Sequence, residues 1–367
     1  MNQELIRRVR RWDNESKENP GPFKIQINPT NRCNLKCRFC WQRTNEEINY
    51  NEIRDKRYLQ LVEEAIALDV KEIEITGGGE PLLRKELVLE LIGKSKDAGL
   101  NVKLITNGTN LEKEDLKEMI GSGLDEVIFS VDGKKETHEF LRQKEGCFDD
   151  TLSSVASLRD LKGKKGSDKP KMTIHMVLCK KNIGEVGDMV ELADEYGCEN
   201  FFVEPVVTLA FDTDMGKKLA MDDSEIARAL KETRSSIKKA ERRDINHNLG
   251  SLEEELISKT NEMDEVIEKD FEESSSQEGG IKGSACFEPW HNLVIRPEGT
   301  VGPCCMFDNQ GPNIRNGSLE EIWFGDYFQR IRDRLRINDL LSFCSKCNPS
   351  QVSNNRKIRE DLKDGLE

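Results

Sequence analysis

Hydrophobic residues are grouped in six short runs over the first 206 residues, and segments with helical periodicity separate these runs. The runs predict strands at 23–29, 70–76, 101–106, 124–131, 171–178 and 200–206. The intervening segments predict helices near 58–66, 83–98, 112–120, 148–162 and 183–196. Alternating strands and helices predict a parallel sheet with right-handed crossovers, and six repeats favour an α/β barrel over a short open sheet.

Small and polar residues stand directly after five of the six predicted strands. They are Asn28 with the cysteines that follow, residues 77–80, residues 106–108, residues 130–133, and Glu204 with Pro205. Gly, Asn and Asp commonly form turns, so any one of these clusters needs no function. Ligands of parallel α/β barrels bind at the C-terminal ends of the strands, however, and five such clusters predict a site there.

The composition of the chain changes in its second half. Residues 212–285 are dense in charge and predict solvated helices that end in a flexible SSSQEGG linker at 274–280. Residues 286–349 form a small unit rich in cysteine, and residues 350–367 are a polar tail. We therefore predict a barrel over 1–211, a charged linker region, a small cysteine-rich domain and a tail that frays or packs as a helix.

Net charge narrows the range of partners. The 367 residues include 56 Lys and Arg against 69 Asp and Glu, which gives a formal charge of −13. An acidic chain argues against binding to nucleic acid or to an anionic membrane. No apolar run approaches the roughly 18 residues of a membrane helix, and the first residues lack the apolar core of a signal peptide. We expect a cytoplasmic protein without a nucleic-acid or membrane partner.

Eleven cysteines carry most of the chemical information, and seven of them lie in tight groups. Close spacing in a cytoplasmic chain indicates metal ligands, whereas a disulfide scaffold is typical of short secreted proteins. Cys33, Cys37 and Cys40 offer three thiolates from one loop, which suit zinc, copper(I) or an iron–sulfur cluster. Structural zinc prefers four ligands, whereas a [4Fe–4S] cluster on three thiolates keeps one iron open for a substrate or cofactor.

The same loop resembles a family signature. CNLKCRFC at 33–40, after the first predicted strand, matches the CxxxCxΦC motif of the radical S-adenosylmethionine (SAM) superfamily, with Phe39 at the aromatic position. GGE at 78–80 resembles the second motif of that superfamily. A third stretch, similar to the branch of sulfatase-maturating and peptide-modifying enzymes, comprises SVDG at 130–133, His138, Arg142, Gly146 and Phe148. The resemblance implies a partial (β/α)6 barrel.

The resemblance also implies roles for individual residues. Cys33, Cys37 and Cys40 would ligate a [4Fe–4S] cluster whose open iron binds SAM. The implied SAM-binding residues are Phe39, Gly78, Gly79, Glu80, Asn107, Ser130 and Arg142. A carboxylate suits the SAM ammonium group, and a guanidinium suits its carboxylate. From the residues alone, Arg142 is equally compatible with a surface ion pair, and Asn107 is more typical of a turn.

A second set of cysteines lies in the C-terminal unit. Its members are Cys286, Cys304, Cys344 and Cys347, and a turn at Gly299 would bring the first two together. The spacing resembles the twitch domain, the shorter form of the SPASM domain, which implies one auxiliary [4Fe–4S] cluster with four protein ligands. Four cysteines also suit structural zinc. Cys305 adjoins Cys304, and either could be the ligand, although the spacing from Gly299 favours Cys304.

Several side chains are candidates for the reaction itself. His175 on the fifth predicted strand and Glu204 on the sixth could act as a base, and Asp308 is a weaker candidate. A core histidine and a strand-end ion pair are the structural alternatives for the first two. Cys305 or Cys179 could return a hydrogen atom to a substrate radical.

The function that we expect is a two-electron oxidation of a small, sugar-like substrate or of a peptide side chain. The auxiliary cluster would accept the electron, and a donor such as flavodoxin or ferredoxin would supply the first one. The short segment before the first strand leads us to expect no separate peptide-recognition domain, which favours a small substrate. The alternatives are a redox-neutral epimerase, a peptide maturase and a non-catalytic zinc or iron–sulfur protein.

Overall fold

The computed structural model describes residues 3–12, 18–40, 42, 48–206, 218–260, 281, 284–347 and 349–364. The strands are β1 (Lys24–Ile27), β2 (Glu72–Ile75), β3 (Asn101–Thr106), β4 (Glu126–Ser130), β5 (Lys171–Leu178), β6 (Asn200–Pro205), β7 (Asn246–His247), β8 (Asn292–Ile295) and β9 (Val301–Gly302). The helices are α1 (Gln3–Arg11), α2 (Asp55–Ala67), α3 (Lys85–Asp97), α4 (Lys113–Gly121), α5 (Lys135–Arg142), α6 (Cys147–Lys165), α7 (Val186–Glu195), α8 (Asp223–Glu241), α9 (Leu249–Thr260), α10 (Glu288–His291), α11 (Leu319–Trp323), α12 (Asp326–Arg336) and α13 (Pro349–Asp364). Short 3-10 helices cover Pro81–Arg84, Ile183–Glu185 and Ser342–Lys346.

The predicted partial (β/α)6 barrel is confirmed. All six predicted strands are present as β1 to β6; β3 and β5 have the predicted limits, and the others are shorter. Each strand pairs in parallel with the next along the chain, as strands joined by right-handed helical crossovers do. This arrangement brings the C-terminal ends of all six strands to one edge, where the sequence predicts the site.

The two faces of the sheet differ in polarity. Ile25, Ile73 and Val102 belong to the main hydrophobic core, which includes residues of the surrounding helices. The alternate positions face the inside of the barrel and carry charges instead: the Lys24 ammonium lies 3.5 Å from the Glu74 carboxylate, and Lys103 lies 3.2 Å from Glu72. Because a strand alternates sides with period two, the KIQI and EIEI sequences place isoleucines outward and charges inward.

The cysteine-rich unit continues the barrel sheet. Strand β8 pairs in parallel with β1, with Asn292 opposite Lys24, and β9 returns antiparallel to β8. Strand β7 adds to the other edge beside β6, so the sheet has nine strands in the order β7-β6-β5-β4-β3-β2-β1-β8-β9. The predicted domain limits at 211, 285 and 349 stay predictions, but backbone hydrogen bonds join the first and third of these units.

The charged region after the barrel is more than a solvated linker. Helices α8 and α9 pack against each other and bury Ile226, Ala229, Leu252 and Leu256. The interpretation of residues 212–285 as solvated helices is therefore wrong for its described part, because both helices have an apolar face. The SSSQEGG segment lies outside the described residues. No helix of the described ranges is long and apolar enough to cross a membrane.

Two further features complete the C-terminal unit. Helices α11 and α12 follow each other closely, and Gly325, in an extended conformation, stands directly before α12. A Cβ atom at Gly325 would lie 2.4 Å from the Glu321 carbonyl oxygen, so the close approach requires glycine. The tail packs as helix α13, which buries Ile358 and Leu362 in the main core.

Candidate active site

A cavity of about 770 Å³ lies at the C-terminal edge of the barrel. The predicted residues that line it are Cys33, Cys37, Phe39, Cys40, Gly78, Gly79, Glu80, Asn107, Ser130, Arg142, Glu204 and Cys305. Residues of the C-terminal unit that the sequence did not single out, among them Arg296, Phe307 and Phe343, complete the wall. The barrel and the cysteine-rich unit therefore enclose one common space.

The cysteine loop is fixed to the end of α5 by backbone hydrogen bonds. The Lys36 N–H donates to the Arg142 carbonyl (3.3 Å), and the Arg38 N–H donates to the Leu141 carbonyl (2.8 Å). The Leu35 N–H donates to the Cys33 sulfur at 3.4 Å. Burial raises the pKa of the Cys33 thiol, and a cation or metal is therefore needed nearby to hold it as thiolate.

Arg142 supplies such a cation beside the loop. Its Nη1 atom lies 3.7 Å from the Cys37 sulfur, and its guanidinium lies 5.3 Å from the centre of the Phe39 ring. Burial raises the pKa of the Cys37 thiol, and the positive charge of Arg142 counteracts this effect. Arg142 is only 7% exposed, so the alternative of a surface ion pair is wrong.

The partner of Arg142 is a residue that the sequence analysis gave no role. Asp132 is fully buried, and one carboxylate oxygen lies 2.5 Å from the Arg142 Nε atom. The other oxygen accepts a hydrogen bond from the Val177 N–H (2.9 Å), and the Asp132 N–H donates to His138 Nδ1 (3.2 Å). The sequence signal for Asp132 was its place in SVDG at 130–133, in the same stretch as Arg142 and ten residues before it.

One glycine of the GGE motif, Gly79, lets two backbones approach closely. The Gly79 N–H donates to the Thr30 carbonyl, and the Glu80 N–H donates to the Arg32 carbonyl, both at 2.8 Å. A Cβ atom at Gly79 would lie 1.9 Å from the Arg32 carbonyl oxygen, which no side chain could accommodate. The motif therefore anchors the start of the cysteine loop against the end of β2.

The Glu80 carboxylate is buried and accepts three hydrogen bonds from the protein. The donors are the Thr106 hydroxyl (2.7 Å), the Asn107 N–H (2.8 Å) and the Leu82 N–H (3.1 Å). Burial raises the pKa of Glu80, although these donors oppose the effect. The carboxylate thus fixes the end of β3, and direct contact with the SAM ammonium group stays a prediction.

Asn107 combines the two roles that the sequence left open. Its side-chain oxygen accepts a hydrogen bond from the Thr109 N–H at 3.0 Å, which is a turn interaction. Its side-chain nitrogen donates to Asn34 Oδ1 at 2.9 Å, and the residue lines the cavity. Ser130, at the end of β4, lines the same cavity.

His175 and Glu204 form a pair at the base of the cavity. The His175 Nε2 atom lies 3.6 Å from a Glu204 carboxylate oxygen, and Glu204 rather than His175 lines the cavity. Burial lowers the pKa of His175, but the interaction with Glu204 and the charge of Asp132 outweigh burial, so that its pKa is raised. Glu204 is thus placed to meet a substrate, with His175 behind it.

The second set of cysteines lies beside the barrel rather than in the cavity wall. Cys304 and Cys344 pack in one small cluster with Val294, Phe307 and Phe343. Burial raises the pKa of Cys286 and of Cys304 well above the usual range, and nearby thiols of the same set raise them further. Four neighbouring thiols, each partly buried, fit an iron–sulfur cluster whose ligands all come from the protein.

The adjacent cysteines of the CC pair point to different sides. Cys304 belongs to the buried cluster of the second set, whereas Cys305 lines the cavity and has accessible surface there. The Cys305 carbonyl accepts a hydrogen bond from Arg296 Nη2 at 3.1 Å, which fixes the turn. This geometry supports Cys304 as the ligand of the second set, and the assignment stays a prediction.

No three His, Cys, Asp or Glu side chains among the described residues are arranged to hold a single metal ion. An iron–sulfur cluster needs thiolates spread around several irons instead. Three loop thiols with Arg142 beside them, at the end of a cavity, fit a cluster that keeps one iron accessible. Burial and the donor chemistry of the second set fit a fully ligated cluster.

Comparison with known proteins shows the family of the chain. The family model of the radical SAM superfamily matches residues 27–193, and the model of the iron–sulfur cluster-binding SPASM domain matches residues 286–348. The chain therefore belongs to the radical SAM superfamily, with a SPASM-type domain after the barrel. It is an enzyme of that class, and its cofactors are SAM, a [4Fe–4S] cluster that binds SAM and an auxiliary cluster in the SPASM-type domain.

Individual relatives differ in what they act on. The chain is 26% identical to an AdoMet-dependent heme synthase of Methanosarcina barkeri over 327 residues, which cover 88% of each chain. It is 24% identical to the sporulation killing factor maturation protein SkfB of Bacillus subtilis over 303 residues, 82% of this chain and 64% of that protein. The structure of Streptococcus suis SuiB bound to the precursor peptide SuiA has the same fold, with a TM-score of 0.65, 18% identity and coverage of 91% of this chain and 71% of that one.

Proposed function

We propose that this enzyme oxidises its substrate by two electrons in the cavity between the cysteine loop and the SPASM-type domain. One observation carries the proposal: Glu204 of the barrel and Cys305 of the C-terminal unit line the same cavity as the three cluster thiols. A substrate held there would lie between the centre that starts the reaction and the domain that can accept an electron. We infer a substrate that is small or that enters as one side chain.

SAM and the two clusters, when bound, would supply the difficult chemistry, which is removal of a hydrogen atom from the substrate and acceptance of one electron. The chain supplies the base. Glu204 takes up the proton from the substrate hydroxyl or amine, and His175, 3.6 Å behind it, orients the carboxylate. The substrate thus loses one hydrogen atom, one proton and one electron, which together make a two-electron oxidation.

The lining of the cavity favours a substrate with several hydroxyl or amine groups. Glu204 and Asp308 offer carboxylates, and Arg296 lies in the same wall. Carboxylates and guanidinium groups bind such a substrate through charge-assisted hydrogen bonds. A sugar-like molecule satisfies this pattern, and so does a polar side chain of a peptide.

The test is an anaerobic screen of reconstituted enzyme with SAM, a chemical reductant and a panel of aminocyclitols, amino sugars and peptides. We expect one 5′-deoxyadenosine for each product, and a product that has lost two hydrogens. Glu204→Gln should lower product formation by roughly a hundredfold and leave SAM cleavage without substrate nearly unchanged. Glu90→Gln, an exposed carboxylate on α3, is the matched control. Full product formation by Glu204→Gln would contradict the assignment of the base.

A redox-neutral epimerisation is the second candidate, because the Cys305 thiol faces the cavity. Cys305 would give a hydrogen atom to the substrate radical, and the resulting sulfur radical would take up one electron from the external electron donor and one proton from solvent. Cys179, the other candidate donor, is fully buried against Leu141 and Leu219. Solvent deuterium in the product of the wild type, lost in Cys305→Ala, would favour epimerisation over oxidation.

A further inference from the structure

An exposed aromatic ring flanked by cations lies on α5, next to the cysteine loop. Phe140 is 41% exposed, the Arg38 guanidinium lies 4.3 Å from the centre of its ring, and the Lys181 ammonium lies 5.4 Å from it. Arg38 also donates a hydrogen bond of 2.9 Å to the Phe140 carbonyl. Lys36, on the same loop, is exposed. We call Lys36, Arg38, Phe140 and Lys181 the Phe140 patch.

The Phe140 patch and the cavity lie on opposite sides of the cysteine loop. Leu35, Cys37 and Phe39 line the cavity, whereas Lys36 and Arg38, which alternate with them, are not part of its wall. Arg38 instead reaches outward to Phe140. A molecule seated on the patch is therefore separated from a predicted cluster ligand, Cys37, by the thickness of the loop alone.

The charge of the Phe140 patch is opposite to that of the whole chain. Other cations of this region are paired: the ammonium groups of Lys134 and Lys180 each lie 2.7 Å from the carboxylates of Asp188 and Glu225, respectively. Lys36, Arg38 and Lys181 have no carboxylate partner within the described ranges. In a chain of net charge −13, three such cations form a local positive site around an apolar centre.

We propose that the Phe140 patch docks an acidic protein that carries single electrons and reduces the cluster bound by Cys33, Cys37 and Cys40. An acidic partner is repelled by most of this surface and attracted by the patch, which would orient it towards the loop. The exposed ring provides the apolar centre that specific interfaces have. The carrier gives up one electron, and the cluster takes it up. The inference rests on the radical chemistry of the proposed function, not on its substrate.

The kinetic test compares two reductants of the reconstituted enzyme. The probe is an acidic flavodoxin kept reduced by NADPH and its reductase, and the reference is dithionite, which needs no docking. Lys181→Glu combined with Phe140→Ser should raise the KM for flavodoxin by roughly tenfold or more. SAM cleavage with dithionite should stay within about twofold of wild type, because neither residue lines the cavity or belongs to the cysteine loop. Lys181→Glu alone should act in the same direction with a smaller effect.

A binding measurement gives a readout that does not depend on activity. Titration calorimetry with oxidised flavodoxin should show a Kd that rises in the double variant by the same factor as the KM. Raising the salt concentration should weaken binding to the wild type more than to the variant, since salt screens exposed charges. Lys164→Glu is the matched control: it reverses an exposed charge at the end of α6, which runs antiparallel to the strands and ends away from the cavity.

The outcomes are separable. Equal flavodoxin affinity of wild type and double variant, or an equal loss in Lys164→Glu, would overturn the docking proposal. Tighter binding of a vesicle of anionic lipid or of an oligonucleotide than of flavodoxin to the patch would do the same. If the wild type does not cleave SAM with dithionite, the radical chemistry of the proposed function is contradicted instead. The calorimetric comparison would still decide whether the Phe140 patch binds an acidic carrier.

Discussion

The two cysteine sets reach similar ligand chemistry by different routes. The first comes from eight consecutive residues, 33–40, and backbone hydrogen bonds to the end of α5 hold the loop. The second joins Cys286, Cys304, Cys344 and Cys347, whose segments are adjacent only because β8 continues the barrel sheet beside β1. The first set lines the cavity, whereas the second is partly buried and lies outside the cavity wall. The loop alone therefore brings the thiols of the first set together, whereas the second set requires tertiary contacts between separate segments.

The electrostatic surroundings of the two sets also differ. Cys37 in the first set lies beside the buried guanidinium of Arg142, which lowers the cost of a thiolate. Cys286 in the second set lies near Glu288, whose negative charge raises the thiol pKa after burial has already done so. We therefore expect the thiolates of the first set to be stabilised by Arg142 of the ion pair, and the thiolates of the second set to be stabilised mainly by the bound metal.

The largest effect should come from deleting one set at a time. Cys33→Ala, Cys37→Ala and Cys40→Ala combined should abolish SAM cleavage and lower the iron content from about 8 to about 4 per chain. Cys286→Ala with Cys347→Ala should lower iron by the same amount but keep SAM cleavage in the absence of substrate. Iron and sulfide analysis with a 5′-deoxyadenosine assay measures both. Zinc instead of iron at the second set of cysteines would show that this site is structural.

Variants of the adjacent Cys304 and Cys305 test which of the two is a ligand of the second set. Cys304→Ala should lose about 4 iron atoms per chain, because Cys304 packs with the second set. Cys305→Ala should keep its iron, because Cys305 faces the cavity. Each variant is the control for the other. Iron loss in Cys305→Ala but not in Cys304→Ala would make Cys305 the ligand instead.

The ion pair of Asp132 and Arg142, beside the first set, should contribute several kcal/mol to the free energy of unfolding. Asp132→Asn leaves the Arg142 charge buried without a counter-charge, and loss of one partner of such a pair costs about 3–5 kcal/mol. Denaturant unfolding under anaerobic conditions measures the free energy of unfolding. Asp188→Asn breaks the exposed pair with Lys134 and should lower the free energy of unfolding far less, because water screens exposed charges. Equal losses of unfolding free energy in both variants would show that the buried ion pair stabilises the fold no more than the exposed one.

His138 should make the surroundings of the first set sensitive to acid. Burial lowers its pKa to about 4, and the charge of Arg142 acts in the same direction. Below the usual value of about 6.5 the unfolded chain binds a proton that the folded chain refuses, so stability falls as the pH falls from about 6.5 to about 4. The loss should approach about 3 kcal/mol at the lower limit.

His138→Gln should remove this contribution. Unfolding free energies of wild type and variant, measured from pH 7.5 downwards, should therefore converge towards acid pH. A difference that stays constant with pH would mean that the pKa of His138 is the same in the folded and the unfolded chain, contrary to its burial.

Several features of the site were accessible from sequence because they depend on local spacing. The strand ends, the cysteine loop and the GGE motif were all identified, and the structure places their residues around one cavity. Asp132 was missed because its value lies in a contact with Arg142, and no local pattern distinguishes a buried partner from a turn residue. The apolar faces of α8 and α9 were missed because the charge of the region concealed them.

The sequence by itself determined the periodic elements, the parallel order of β1 to β6 and the close spacing of the first cysteine set, since each follows from a short-range pattern. The tertiary structure alone decided that β8 extends the barrel beside β1, that Cys304 and Cys305 face different sites and that Glu204 is backed by His175. These contacts join residues far apart in the chain. Their geometry follows from how the whole core packs, which no local spacing encodes.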